Sequence, residues 1–176
     1  MAPSAEFSFI WSLHCPPKIS FFLWLIAHGR LPTIDMLQNR RIDVHATCLF
    51  CTAPETASHL FLHCDFAKSV WDVLTMKLKW LYAMPENVAL ALQAWQLNLS
   101  DKAKSEIWRL VPVAIIWCLW KERNNRVFNG NPSSAAVVAH KVVYMLFTWS
   151  LDFKYFEEVD SKEVMRNWCK IYFDIH

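Results

Sequence analysis

Three cysteines and one histidine fall close together in the chain, with a spacing that suits a metal ion. Cys48 and Cys51 enclose two residues, His59 comes after seven more, and Cys64 after a further four. Zinc prefers thiolate and imidazole donors, and four of them fill its tetrahedron. The spacing therefore predicts one structural zinc site, a knuckle with no position left open for a reacting water.

Two other histidines lie near this cluster. His63 is an alternative to His59 as the fourth ligand, but it adjoins Cys64, and adjacent side chains reach one ion together only awkwardly. We therefore prefer His59. His45, three residues before Cys48, is assigned to the surface or to the surroundings of the site.

The remaining cysteines, Cys15, Cys118 and Cys169, stand alone in apolar surroundings. A free cysteine in such a place packs as a small hydrophobe. This usage is typical of a reduced, intracellular protein with one metal site, and not of a secreted disulfide framework.

The elements that position the ligands are predicted to be helices, so the fold class is mainly α with an embedded Cys-Cys-His-Cys zinc knuckle. Residues 43–64 show little periodicity and allow a short β-hairpin around Cys48 and Cys51, while no other segment alternates well enough for a sheet. Helices are predicted at residues 18–28, 34–41, 65 to about 80, 85–95 and 161 to about 173. A long helix is predicted from Asp101 to Phe128, with a kink or break at Pro112. Another helix is predicted to begin after a cap at Ser133 or Ser134.

The composition favours a large hydrophobic core and a surface on which a partner covers some apolar side chains. Hydrophobic residues make up 55% of the chain, with 10 Trp and 12 Phe against 2 Gly. Such a chain has little polar surface, so we expect some apolar side chains to stay exposed unless a partner covers them. The net charge of +2 does not demand a nucleic-acid partner.

No targeting or membrane-spanning segment is predicted. The first seventeen residues contain Glu6 and no Lys or Arg, which fits neither a secretory nor a transit peptide. The apolar runs at 19–27 and 111–120 are too short to cross a bilayer. The expected location is intracellular, in the nucleus or cytoplasm, with organelle targeting left open.

Several segments share the pattern of a known family: Ile10-Trp11 with residues 16–24, Leu31-Pro32-Thr33, Cys48-Leu49-Phe50-Cys51, residues 55–64, Trp71, and residues 117–128. They resemble the plant reverse-transcriptase zinc-binding domain of non-LTR (LINE-type) retrotransposon polyproteins. The zinc-domain resemblance covers residues 8–81, and residues 117–128 resemble the segment on the C-terminal side of that domain in the same polyproteins. It implies a knuckle attached to a reverse transcriptase, with a role in gripping template RNA or target DNA.

The resemblance also sets the expected domain organisation. Residues 8–81 form the zinc-binding-like region, and residues 82–176 form a helical region packed on it as one compact unit. No polymerase palm, endonuclease or ribonuclease H segment is present, so we expect a freed fragment of a retroelement. Only zinc ligation then carries over, to Cys48, Cys51, His59 and Cys64.

Protein binding is the favoured function. Four tryptophans are candidates for an exposed sticky patch, and either a host protein or a second copy of the chain would cover it. A regulatory or selfish role, such as poisoning a host complex, fits the lack of catalytic motifs. We expect no enzymatic activity and no small-molecule substrate. The four tryptophans are Trp71, Trp80, Trp95 and Trp108.

RNA or single-stranded DNA binding, inherited from the parent reverse transcriptase, is the alternative. Its support is thin because the knuckle carries Glu55 and Asp65 against Lys68, whereas phosphate binding needs cations. The better basic clusters lie elsewhere, at Arg30, Arg40 and Arg41, and at Lys121, Arg123 and Arg126.

Overall fold

A computed structural model describes residues 5–80, 83–97, 99, 101–151 and 160–173. Within these ranges the chain is mainly helical, which confirms the predicted fold class. A 3₁₀ helix at Ala5–Ser12 and a π-helical turn at His59–His63 accompany the α-helices. The α-helices are α1 (Pro17–Ala27), α2 (Ile34–Asn39), α3 (Asp65–Lys77), α4 (Val88–Ala94), α5 (Lys102–Phe128), α6 (Ala135–Ser150) and α7 (Ser161–Phe173).

Local capping chemistry explains where several helices begin. The Asp101 side chain accepts a hydrogen bond from the backbone N–H of Lys104 at 3.0 Å and starts α5. Ser134, one of the two serines predicted as the cap of α6, accepts from Val137. Asn87 caps α4 in the same way, so α4 begins later than Pro85 predicted.

Helix α5 is the central element of the fold. It packs against α3, α4, α6, α7 and the π-helical turn. The predicted break at Pro112 does not occur, since the helix continues through this residue. A proline inside a helix costs about 3 kcal/mol, and the burial of residues 110–116 on all sides offsets that cost.

The four tryptophans predicted to form an exposed patch lie in or against the core instead. Trp71, Trp95 and Trp108 are buried and Trp80 is partly buried. The rings of Trp95 and Trp108 stack at 4.6 Å, and the Trp80 ring meets Trp108 edge-on at 5.0 Å. The patch prediction was wrong because these rings, from α3, α5 and the ends of α3 and α4, pack against one another. We call the four residues the tryptophan core.

Two of the isolated cysteines pack as predicted. Cys118 and Cys169 are buried, and burial raises the pKa of each thiol to about 11. Both therefore stay protonated and unreactive at neutral pH. Across the residues that the structure describes, no helix is both long and apolar enough to cross a membrane.

Candidate metal centre

The four residues predicted as ligands come together in space. The sulfur atoms of Cys48, Cys51 and Cys64 and a ring nitrogen of His59 all lie within 4.8 Å of one another. The Cys51 sulfur and His59 Nε2 are 3.1 Å apart. Donors around a tetrahedral zinc ion lie about 3.8 Å apart when each bond is near 2.3 Å. The cluster therefore fits one zinc ion after small side-chain shifts.

A tight turn presents the first two cysteines. The backbone N–H of Cys48 donates to the carbonyl oxygen of Ala53 at 2.8 Å, and Thr47 and Pro54 form one antiparallel bridge. This bridge takes the place of the hairpin that the sequence allowed, and it does not extend into a strand within the described residues. The N–H of Phe50 donates to the Cys48 sulfur at 3.4 Å, and this bond helps to fix the position of the first cysteine.

Cys64 sits at the junction of two helical elements. Its N–H donates to the His59 carbonyl at 2.8 Å, which closes the π-helical turn, and the residue is also the N-cap of α3. A hydrogen bond from Cys48, helped by the N–H groups of Phe66 and Ala67, lowers the pKa of Cys64 to about 5. The same contact raises the pKa of Cys48 well above its usual range. The cluster thus stabilises one thiolate by itself, and a divalent cation would stabilise the others.

The π-helical turn separates the two histidines that are candidates for the fourth ligand. His59 points into the cluster, whereas the Nε2 atom of His63 lies 3.0 Å from the carbonyl oxygen of Glu86. His45 is exposed and outside the cluster. Among the described residues the structure therefore groups His59, and not His63, with the cysteines. We call residues 48–64 the zinc knuckle.

Arg126 of α5 holds the knuckle from outside. Its guanidinium lies 4.7 Å from the centre of the Phe50 ring and 4.5 Å from that of Phe66. It also donates to the carbonyl oxygen of Leu49, inside the cysteine turn, at 3.2 Å. Glu122, one helical turn earlier, fixes the arginine with a 3.1 Å ion pair. Cation–π contacts of this kind stabilise by about 0.5–2 kcal/mol.

A buried ion pair ties α5 to the knuckle at a second point. Glu55 is 1% exposed, and its carboxylate receives hydrogen bonds from Arg123 of α5 at 3.0 Å and from the N–H of Ile34 at 3.1 Å. The Ile34 bond also caps the start of α2. The sequence places Arg123 and Arg126 in a basic cluster for nucleic acid. Both guanidinium groups make ion pairs inside the fold, Arg123 with Glu55 and Arg126 with Glu122, and this weakens that interpretation.

Sequence reasoning misses these two structural roles, although a signal for them exists. Both arginines belong to residues 117–128, a segment that carries the family pattern. Glu55 counts as surface charge on the knuckle when only the sequence is considered, but its burial removes it from that surface.

A helical protein with one Cys₃His cluster of this geometry is a zinc-binding module. A family described as zinc-binding in reverse transcriptase matches residues 2–71, and this match confirms the resemblance seen in the sequence. The match covers the whole ligand set and stops within α3. The domain that this family describes is an accessory zinc-binding one, and it is not catalytic.

One curated relative extends the likeness beyond the knuckle. A protein of Arabidopsis thaliana described as a ribonuclease H protein is 23% identical over 129 residues. The alignment covers 71% of this chain and 20% of that protein, so the chain spans about a fifth of its relative's length. No solved structure matches the chain. The two matches fit a retrotransposon-derived zinc-binding domain of plants.

Proposed function

We propose that this chain is a non-enzymatic, zinc-stabilised binding module that acts through protein–protein contacts. Cys48, Cys51, His59 and Cys64 hold one structural zinc ion in this proposal. Their spacing, their convergence within 4.8 Å and their donor types support the assignment. Bound zinc would close the four-donor set and fix the geometry of the knuckle.

The exposed apolar face of α5 and α6 carries the proposal of protein contacts. Phe128 is 78% exposed at the end of α5, and Val137 and Tyr144 are exposed along α6. They surround a cavity of about 790 Å³ between the two helices. Exposed apolar side chains gathered around a cavity are typical of an interaction site.

The arginines of α5 favour a protein partner over RNA or single-stranded DNA. Phosphate binding needs cations that face solvent. Arg123 is buried against Glu55, and Arg126 packs on the neighbouring rings of Phe50 in the knuckle and Phe66 in α3. Both arginines of α5 that lie beside the knuckle therefore already make contacts within the fold.

Two contacts support the proposal that residues 8–81 and 82–176 form one compact unit. Arg123 of the second region pairs with Glu55 of the first, and α6 packs directly on α3. We also propose an intracellular location in the nucleus or cytoplasm, because a thiolate zinc cluster and isolated cysteines suit a reducing compartment.

The ligand assignment is tested by exchanging the two histidines. His59→Ala should remove most of the zinc from the purified chain, whereas His63→Ala should keep about one zinc ion per chain by elemental analysis. Equal zinc content in the two variants would contradict the assignment of His59.

Protein binding is tested by affinity capture from plant extract with the zinc-loaded chain as bait. The wild type and the control Met76→Ser, which alters a 77% exposed residue of α3, should recover the same proteins. A salt titration with single-stranded RNA is run beside it. A steep loss of RNA affinity with salt, together with no reproducible protein partner, would replace this proposal by nucleic-acid binding.

A further inference from the structure

The cavity between α5 and α6 is an open apolar groove, which we call the α5–α6 groove. Partly buried apolar side chains from three helices line it, and two exposed aromatic rings rise beside them. Two packed helices with a trough between them have the shape that accepts a third helix. The partly buried residues are Trp117 and Trp120 of α5, Met145 of α6 and Met165 of α7, and the exposed ones are Phe128 and Tyr144.

Exposed cations line this groove and a cavity next to it. Lys121 and Lys141 line the groove and are exposed. Lys162 and Arg166 are exposed too, and they line a neighbouring cavity that shares three lining residues with the groove. The rim of the groove is therefore positively charged on more than one side.

One carboxylate, that of Glu122, lines the groove among the residues that the structure describes. This side chain is buried, and its Oε1 atom accepts hydrogen bonds from Arg126 at 3.1 Å and from the N–H of Ser133 at 2.7 Å. Its Oε2 atom lies 3.8 Å from the Lys141 ammonium group, so Glu122 offsets part of the Lys141 charge. The remaining exposed cations are Lys121 in the groove and Lys162 and Arg166 in the neighbouring cavity.

We propose that the α5–α6 groove binds an amphipathic helix of a partner protein, with Leu, Phe or Met on its apolar face and Asp or Glu along its flanks. This inference rests on the proposed protein-binding function and names the chemistry of the partner. Methionines such as Met145 and Met165 adapt to apolar side chains of different shape. The lysines then pair with the acidic flanks and orient the helix.

Charge argues against a second copy of this chain as the occupant. A symmetric dimer through the groove would bring Lys121 and Lys141 of one copy close to the same lysines of the other. Like charges brought together in an interface oppose association. The same cations attract an acidic helix, so charge complementarity selects a different molecule.

The groove is tested with two synthetic peptides and the full, zinc-loaded chain. Both peptides are about eighteen residues long, five turns of helix. They carry the same leucines at helical spacing and differ in having Glu or Lys at the flanking positions. Fluorescence anisotropy should show that the Glu peptide binds at least about tenfold more tightly than the Lys peptide at low salt.

Three variants locate the binding. Phe128→Ser should lower the affinity for the Glu peptide about tenfold, since it removes an exposed apolar contact. Met76→Ser, which lies outside the groove, should leave the affinity unchanged. Lys121→Glu should reduce the preference for the Glu peptide over the Lys peptide. Lys141 is left intact because it lies 3.8 Å from the buried Glu122 carboxylate and its change would disturb the fold.

Equal affinity for the two peptides, or no effect of Phe128→Ser, would overturn the inference. So would displacement of the Glu peptide by a single-stranded oligonucleotide, or a dimer in sedimentation that Phe128→Ser dissociates. Affinity capture separates the two proposals. If Phe128→Ser captures the same partners as the wild type, protein binding stands and the groove assignment fails. If even the wild type captures no partner, the proposed function fails.

Discussion

The zinc knuckle and the tryptophan core are neighbours in the fold, but different forces hold them. The knuckle depends on four donor side chains, one isolated β-bridge and a π-helical turn. The tryptophan core depends on indole rings that pack against one another where α3, α4 and α5 meet. The stability of the zinc knuckle should depend on the zinc and proton concentrations. The stability of the tryptophan core should depend on the apolar area that it buries. One protein thus contains two regions that respond to different changes in conditions.

Removing the metal should produce the largest difference between the regions. Cys48→Ser combined with Cys51→Ser should lower zinc content from about one ion per chain to none, and the knuckle should then unfold. Zinc binding in small finger domains provides about 10–16 kcal/mol of folding free energy. Elemental analysis and limited proteolysis measure the result.

Cys15→Ser is the matched control for this loss, since Cys15 lies outside the cluster. It should keep the zinc and resist proteolysis like the wild type. A chain that lacks Cys48 and Cys51 but retains the metal would contradict the ligand assignment.

Trp95→Ala should show the opposite pattern. Trp95 is fully buried, and loss of such a side chain costs about 3–5 kcal/mol of unfolding free energy. Zinc content should stay at about one ion per chain in the folded variant. Urea unfolding with zinc analysis checks both expectations, with the exposed Trp11 changed to Ala as control. A folded Trp95→Ala chain without zinc would show that the regions are not separable in this way.

Arg123→Ala tests the connection between the regions. It leaves the buried Glu55 carboxylate with the Ile34 N–H as its remaining described partner, and breaking a buried ion pair costs about 3 kcal/mol or more. A second change, Glu55→Gln, should recover part of this loss because it removes the unpaired charge. Urea unfolding of the two single variants and the double variant measures the coupling, and simple additivity would argue against a direct pair.

Lowering the pH should weaken the zinc knuckle more than the tryptophan core, and the change per pH unit should be the smallest effect predicted here. Contact with Cys48 lowers the pKa of Cys64 to about 5, so this sulfur stays a thiolate above that pH and gains a proton below it. Between about pH 7 and about pH 5 the proton that zinc must displace is held by Cys48, whose pKa the same contact raises. Zinc affinity should therefore fall by at least about tenfold per pH unit over this range. A chelator titration at several pH values measures this. Tryptophan fluorescence should change less over the same range.

The sequence allows the local features of both regions to be predicted. The four donors lie between positions 48 and 64, so their spacing alone indicates one site. The caps at Asp101 and Ser134 are equally local, since each side chain bonds to an N–H three residues later. Such features depend on a short stretch of chain, and a short stretch is what a sequence pattern describes.

The features that depend on distant packing could not be predicted. Periodicity shows that Trp71 and Trp108 belong to apolar faces, but it does not show which neighbours cover them. Pro112 reads as a helix breaker until its buried surroundings are known. The Glu55–Arg123 pair joins positions 68 residues apart, and neither residue alone signals the other.

That pair has a consequence for the order of events when the chain is made. The polypeptide leaves the ribosome from its amino end, so all four donors of the knuckle emerge well before Arg123. Zinc can close the knuckle at once, while Glu55 keeps its charge in water until α5 arrives. We expect zinc binding to fold the knuckle first, and α5 to pack against it later, when Arg123 pairs with Glu55.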